Sequence, residues 1–216
     1  RCGPMVKKYG DLYLQARRAL LTSEGDNASM AARELLALAS GKSVSAVLAD
    51  SGLYASEQIE ERLDSYVARM LAHEPLPYIL GQWDFYGLSL EVTPDVLIPR
   101  DDTMAVTELV IEALRARPEP RVLDLCCGSG AVGISLAKIS SNVKVLGTDV
   151  SEKALAVAEE NAKNLRIKMR FARGDMFAPA AGKKFDMIVS NPPYIRTRMI
   201  SILQEEVKDH EPLQAL

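Results

Sequence analysis

The chain has 216 residues, 48% hydrophobic and 25% charged, the balance of an ordinary globular protein long enough for one large domain or two smaller ones. A net charge of −3 and a pI near 5.6 argue against a broad electrostatic grip on nucleic acid, which needs a basic stripe to displace counterions. With no apolar run of about 18 residues, no signal-peptide pattern at the start and three cysteines, of which Cys126 and Cys127 are adjacent, the expectation is a cytoplasmic protein with no membrane span, no disulfide framework and no structural metal.

Arg1 to Pro4 are set aside as a processed or appended end. From about Val6 to His73 the sequence is rich in Ala, Leu, Glu and Arg with apolar residues at helical spacing. Ala28 to Ala39 reads as a helix stopped by Ser40-Gly41, and Val44 to Ala49 as a short one. Ser56 reads as the N-cap of a third, with Ile59, Leu63, Val67, Met70 and Leu71 on one face. Pro75-Leu76-Pro77 ends this helical module. Leu88, Leu90 and Val92 then alternate with Ser89 and Glu91, the period of a hairpin or ribbon. The expected organisation is a helical domain over residues 5–74, a hairpin linker over 75–100 and a further domain over 101–216.

Beyond Arg100 the pattern alternates. Thr103 to Leu114 reads as helix, Arg121 to Leu125 as strand, Ala131 to Ile139 as helix, Val143 to Thr148 as strand and Ser151 to Asn164 as helix. Lys168 to Ala172 and Asp186 to Ser190 read as further strands. Units of this kind build a parallel sheet covered by helices on both faces.

Between the first strand and its helix lies Asp124-Leu125-Cys126-Cys127-Gly128-Ser129-Gly130, and Gly128, Gly130 and Gly133 match the spacing of a dinucleotide fingerprint. Asp149 ends the next strand about 20 residues on, where a carboxylate binds ribose hydroxyls. Charge separates two nucleoside cofactors. Asp124 at the mouth of the turn would repel the pyrophosphate of NAD and attract the ammonium and sulfonium of S-adenosylmethionine, so the methyl donor is favoured. The plain alternative for Asp124 is a carboxylate satisfied by turn amides. Cys126 and Cys127 read as small residues that allow close backbone approach, with no basic neighbour to activate a thiol. Asp175 is placed to accept from an adenine amino group, or forms an ordinary Asx-turn.

Asn191-Pro192-Pro193-Tyr194 ends the last strand. The prolines donate no backbone hydrogen bond and hold φ near about −65°, so the ladder stops and the Asn191 amide and Tyr194 ring project from a stiff ledge. A planar amide or amino group docks on such a ledge.

With the Asp124 to Gly130 loop, Asp149, Asp175 and Asn191 to Tyr194 in this order, the chain resembles the class I S-adenosylmethionine-dependent methyltransferases. Leu97-Ile98-Pro99-Arg100, the Phe85-Tyr86-Gly87 ribbon, the helical module and Glu211-Pro212-Leu213-Gln214-Ala215-Leu216 narrow the resemblance to the release factor glutamine N5-methyltransferases, the PrmC/HemK family. The likeness spans nearly the whole chain. It implies an α/β class I methyltransferase fold with a Rossmann-like parallel sheet and a small N-terminal helical domain. It also implies methylation of the glutamine in the Gly-Gly-Gln motif of a peptide chain release factor, by a monomer that engages no nucleic acid directly, with residues 5–74 as a substrate-recognition domain and 101–216 as the S-adenosylmethionine-binding domain.

Under that resemblance Cys126, Cys127, Gly128, Ser129, Gly130 and Asp149 bind the cofactor, joined by Asp124, Asp175, Asn191 and Met176, which stands where the family often has an aromatic residue against the adenine. Asn191, Pro192, Pro193 and Tyr194 bind the glutamine, with Asn191, Pro192 and Tyr194 catalytic. An amide nitrogen is a poor nucleophile, so alignment dominates: a near-attack arrangement contributes roughly 7–11 kcal/mol, more than the 10²–10⁴-fold typical of general acid–base help. Tyr194 walls the pocket. No general base is assigned, since His210 reads as surface or partner-facing. Family members usually read Ile-Pro-Arg-Pro-Glu/Asp-Thr-Glu after the ribbon, whereas Asp101 and Met104 stand here.

The family's sheet has seven strands in the order 3-2-1-4-5-7-6, and four are identifiable here, so the expectation is a fragment of a longer protein, C-terminally incomplete. Two other readings stay open: an adenine-N6 methyltransferase on RNA or DNA, which the acidic pI opposes, and a non-catalytic binding module.

Overall fold

Residues 6–216 are described by the computed structural model, so the expectations for Arg1 to Pro4 and for a boundary at Met5 lie outside the described residues. The chain separates into a helical unit reaching to Leu80 and an α/β unit, Gly81–Leu216.

The helical unit runs α1 (Tyr9–Glu24), α2 (Ala28–Ser40), α3 (Val44–Ala49), α4 (Glu57–Leu71) and α5 (Leu76–Leu80). Along α2 the buried residues Ala28, Ala31, Ala32, Leu35, Leu36 and Ala39 recur at helical spacing, and their small members let neighbouring helices approach. The helix ends at Gly41 in the left-handed region, φ 69°, a conformation glycine adopts without a Cβ penalty. In α4, Leu63, Val67 and Met70 are buried while Leu71 is 46% exposed, because a further 100° of rotation carries it off the stripe. Pro75-Leu76-Pro77 does more than close the module. The Pro75 carbonyl accepts from Tyr78 and Ile79 and Pro77 sits in the first turn of α5, where its missing N–H is not needed.

The α/β unit opens with an antiparallel hairpin of β1 (Gln82–Phe85) and β2 (Leu88–Glu91). Tyr86 and Gly87 turn it with φ of 51° and 73°, two positive values as a primed two-residue turn demands. The sheet consists of β3 (Arg121–Leu125), β4 (Lys144–Asp149), β5 (Arg170–Arg173) and β6 (Met187–Ser190), all parallel, in the order β5-β4-β3-β6. Three helices accompany it: α6 (Asp101–Leu114), α7 (Ala131–Ile139) and α8 (Glu152–Asn164). Asp101 and Asp102 occupy the first turn of α6, where acidic side chains complement the helix dipole, so an aspartate serves at the position that proline also suits.

Val122, Val145 and Val189 share a core with Val110 and Leu114 of α6, Val132 and Leu136 of α7, and Phe85 and Leu90 of the hairpin, with Met104 packed against it. Leu123 and Leu125 point to the other face and pack with Leu146, Phe185 and Ala180 of a short turn, Ala178–Ala180. Where the alternating pattern predicts helices on both faces, the described residues thus cover the second face by a turn and a loop. The strands β3, β4 and β5 progress one way along the sheet, and crossovers between parallel strands are right-handed as a rule, which keeps successive helices on one side. Two helical turns near the end, Thr197–Ile200 and Glu205–Lys208, are too short for any periodicity to announce.

Candidate active site

The order β5-β4-β3-β6 places the topological switch point between β3 and β6, and the crevice outside the strand ends at such a point is where open α/β sheets bind ligands. The loop after β3 turns through left-handed backbone at Cys126, Gly128 and Gly130, with φ of 59°, 53° and 82°. Cys126 is a non-glycine in that region, a local strain of the kind that functional loops retain. The loop is pinned from several sides. Cys127 N donates to Thr148 O at 3.0 Å, and Gly130 N donates to Cys127 O at 2.8 Å. The buried Asn161 amide donates to Ser129 O and Glu91 O, both at 3.0 Å, and its oxygen accepts from Glu91 N at 2.6 Å, which ties the hairpin to the loop.

Two carboxylates frame the loop. Asp149 Oδ2 accepts from Gly128 N and its Oδ1 from Ser151 N, both at 2.9 Å, so backbone amides orient it. Asp124 is 3% exposed, and its Oδ2 accepts from Gly133 N at 2.9 Å. Burial pushes its carboxyl up to about 7 and the charge of Asp149 adds to this, against the Gly133 amide. The Cys126 and Cys127 thiols are raised chiefly by burial, which keeps them protonated and unreactive at neutral pH.

At the end of β6, Ser190 Oγ donates to Leu125 O at 2.8 Å, joining this strand end to that of β3. Asn191 is half-buried, and Pro192, Pro193 and Tyr194 are exposed. Two cavities meet here. The first is lined by Asp124, Cys126, Cys127, Gly128, Ser129, Asp149, Asn191 and Pro193, together with Asp95, Pro99, Ser151, Pro212 and Gln214. The second is lined by Val189, Ser190, Pro192, Tyr194, Ile195 and Leu203, with Arg100 and Asp102 among its polar residues. Asn191, Leu97, Thr103, Val132 and Ala215 line both.

The structure therefore brings together most of the residues singled out in the sequence. Gly130 shapes the loop without lining either cavity: a Cβ there would stand 2.9 Å from Ile134 Cδ1 and 3.2 Å from Ala158 Cβ. Asp175 and Met176 are exposed and line neither cavity, although Gly174 N donates to Asp149 O at 3.0 Å. His210 is half-buried and also lines neither. Sequence reasoning missed Asn161, which reads as an ordinary helical residue, and the lining role of residues 95–99 and 212–215. For the last, the only signal was the two short family-like segments. Among the described residues, no group of three or more His, Cys, Asp or Glu side chains is arranged to hold a metal ion, and no helix is long and apolar enough to cross a membrane.

The family model for the methyltransferase small domain matches residues 100–209, and that for the PrmC N-terminal domain matches residues 11–81. The release factor glutamine methyltransferase of Geobacter sulfurreducens is 45% identical over 151 residues, covering 69% of this chain and 52% of that protein. That of Caulobacter vibrioides is 36% identical over 193 residues, covering 88% of this chain and 67% of that protein. Among solved structures, the T. thermophilus 16S rRNA N2 G1207 methyltransferase in complex with AdoMet and guanosine is 23% identical, covers 54% of this chain and 33% of that one, and has a TM-score of 0.45. The chain spans about half the length of the first curated relatives it matches.

Proposed function

The chain belongs to the PrmC/HemK family of release factor glutamine methyltransferases, and on that premise we propose that it methylates the side-chain nitrogen of a glutamine in the Gly-Gly-Gln motif of a peptide chain release factor, using S-adenosylmethionine. The observation that carries this reading is that Asn191 lines both cavities, so an amide held on the proline corner faces a ligand held by the glycine loop.

The first cavity fits the cofactor. A Cβ at Gly128 would meet nothing within 4 Å, so the loop offers backbone and open space where it borders the cavity. The buried Asp124 gains from any cation brought beside it, and Asp149, fixed by two backbone amides, keeps lone pairs for ribose hydroxyls. Asp175 and Met176 are assigned to the adenine, an assignment supported by their position just after β5. When bound, S-adenosylmethionine supplies an electrophilic methyl group on a cationic sulfur.

The corner does the positioning. The Asn191 side-chain oxygen and the Pro192 carbonyl accept the two N–H groups of the glutamine amide and turn its nitrogen toward the first cavity, while Tyr194 walls the side chain. Pro192 and Pro193 hold this geometry without backbone donors of their own, so neither competes with the substrate for those acceptors. The second cavity, where apolar side chains outnumber the polar Arg100, Asp102, Thr103, Ser190, Asn191 and Tyr194, suits an uncharged amide and its methylene stem. The acidic balance of the chain supports a protein partner over a nucleic acid, and the same reading makes the enzyme cytoplasmic and monomeric.

The test is mass spectrometry of a release factor incubated with S-adenosylmethionine and the full-length enzyme. The expected result is the gain of one methyl group on the glutamine of the Gly-Gly-Gln motif. Methyl transfer to RNA or DNA adenine instead, or cofactor binding without transfer to any substrate, would overturn the reading.

A further inference from the structure

Glu211 is 4% exposed and has no part in the chemistry above. Its Oε2 accepts from Ile98 N at 3.1 Å, and its Oε1 is paired with the Arg100 guanidinium. The Arg100 side chain remains 42% exposed against 1% for Glu211, so the guanidinium lies on the solvent side of a buried carboxylate. For a carboxylate buried this far, losing the Arg100 guanidinium leaves its charge uncompensated, and losing the Ile98 N–H leaves a buried acceptor short of a hydrogen bond of the stronger, charge-assisted kind.

The two segments joined in this way build the wall between the cavities. On one side, Leu97 lines both cavities, Pro99 lines the first, and Thr103 in the first turns of α6 lines both. On the other, Pro212 and Gln214 line the first cavity and Ala215 lines both. The second segment is also tied to the proline corner, because Ile195 N, next after Tyr194, donates to Leu216 O at 2.7 Å.

We propose that Glu211 is a positioning residue for methyl transfer: by clasping Ile98 and Arg100 it fixes the Leu97, Thr103 and Ala215 wall shared by both cavities, and with it the alignment of the acceptor amide against the methyl donor. The proposal rests on the methyl-transfer reading. It makes the Leu97–Arg100 and Glu211–Leu216 segments one device for registering two ligands, with neither contributing a reacting group.

The experiment uses the full-length enzyme with its release factor. Glu211→Ala is expected to lower kcat about 10²-fold, the scale of a misplacement of about 1 Å, with the cofactor Kd unchanged to within about tenfold. Glu211→Gln keeps an acceptor for Ile98 N and loses the ion pair, so its kcat falls between the two. Adding Arg100→Met to Glu211→Gln removes a guanidinium whose ion pair is already lost, so it is expected to lower kcat little further than Glu211→Gln alone. If Glu211→Ala does not fold, Glu211→Gln and its double variant carry the test. Wild-type kcat in Glu211→Gln, or a loss of kcat matched by an equal loss of cofactor affinity, overturns the positioning role. Amide hydrogen exchange at Ile98 reads the clasp without any turnover: faster exchange in Glu211→Ala or Glu211→Gln is expected, and unchanged protection refutes the clasp. A wild-type enzyme that leaves the glutamine unmethylated fails the functional reading instead, a result that the exchange measurement keeps separate.

Discussion

The loop after β3 and the corner after β6 meet at the first cavity, from which the corner alone reaches on into the second, and they are held by opposite means. The loop is held from within: Asp124 is 3% exposed, Asp149 accepts two backbone amides, and Asn161 reaches across to Ser129. The corner is held by covalent geometry, two prolines in succession, and its Tyr194 is 78% exposed. Under the proposed function, the contrast follows from what each region meets. A small soluble cofactor of constant shape can be received in a prebuilt, largely buried pocket, since preorganisation lowers the cost of binding. A side chain delivered on another macromolecule needs an open ledge whose stiffness does not depend on being buried.

The largest effect that tests this contrast is expected at the corner. Asn191→Ala should lower turnover by about 10²-fold or more, the cost of losing alignment, while calorimetry finds cofactor affinity within about tenfold of wild type. Normal turnover in that variant would erase the distinction between the two regions.

The loop should respond in stability and binding together. A Cβ at Gly133 would stand 2.5 Å from Met169 Cε and 2.9 Å from Asp124 Oδ2. The thioether end can move, but the carboxylate is held by the Gly133 amide itself. Gly133→Ala is therefore expected to cost about 1–3 kcal/mol of stability, as overpacking does, read as a lower denaturant midpoint with unchanged m-value, and to weaken cofactor binding. An unchanged midpoint and affinity would show the loop to be less tightly built than the corner.

The smallest effect is one of pH. The Asp124 carboxyl, ordinarily near 3.8, titrates at about 7 in the fold. The folded state thus holds a proton that the unfolded chain has released, so the stability this group contributes is full below pH 3.8 and is lost as pH rises through about 7. Binding runs the other way. A cationic cofactor favours the ionised form, so its affinity should rise with pH through the same region, by about tenfold from one unit below the pKa to one above. Calorimetry across this range in buffers of different ionisation enthalpy should also detect proton release on binding. Asp124→Asn should flatten the profile; a profile that stays steep in that variant would move the titration to another group.

Much of the fold was legible in the sequence. Val44–Ala49, Arg121–Leu125 and Ala131–Ile139 lie where period and turn residues put them, because helix and strand periodicities and the dihedral demands of glycine and proline are local properties. The glycine spacing, Asp149 and the proline corner were legible for the same reason, since each is a short run of residue types whose backbone chemistry is its own signature. The tertiary structure alone decided which distant groups meet. Glu211 finds Ile98 N at a separation of 113 residues, and Asn161 finds Glu91 at 70. It also decided that Asp124 is buried deeply enough to hold a proton near neutrality, that Asp175 and Met176 remain exposed, and that two cavities share one wall. Pairings of this kind depend on how the whole chain closes, and a glutamate that clasps a loop carries the same letter as one that faces water.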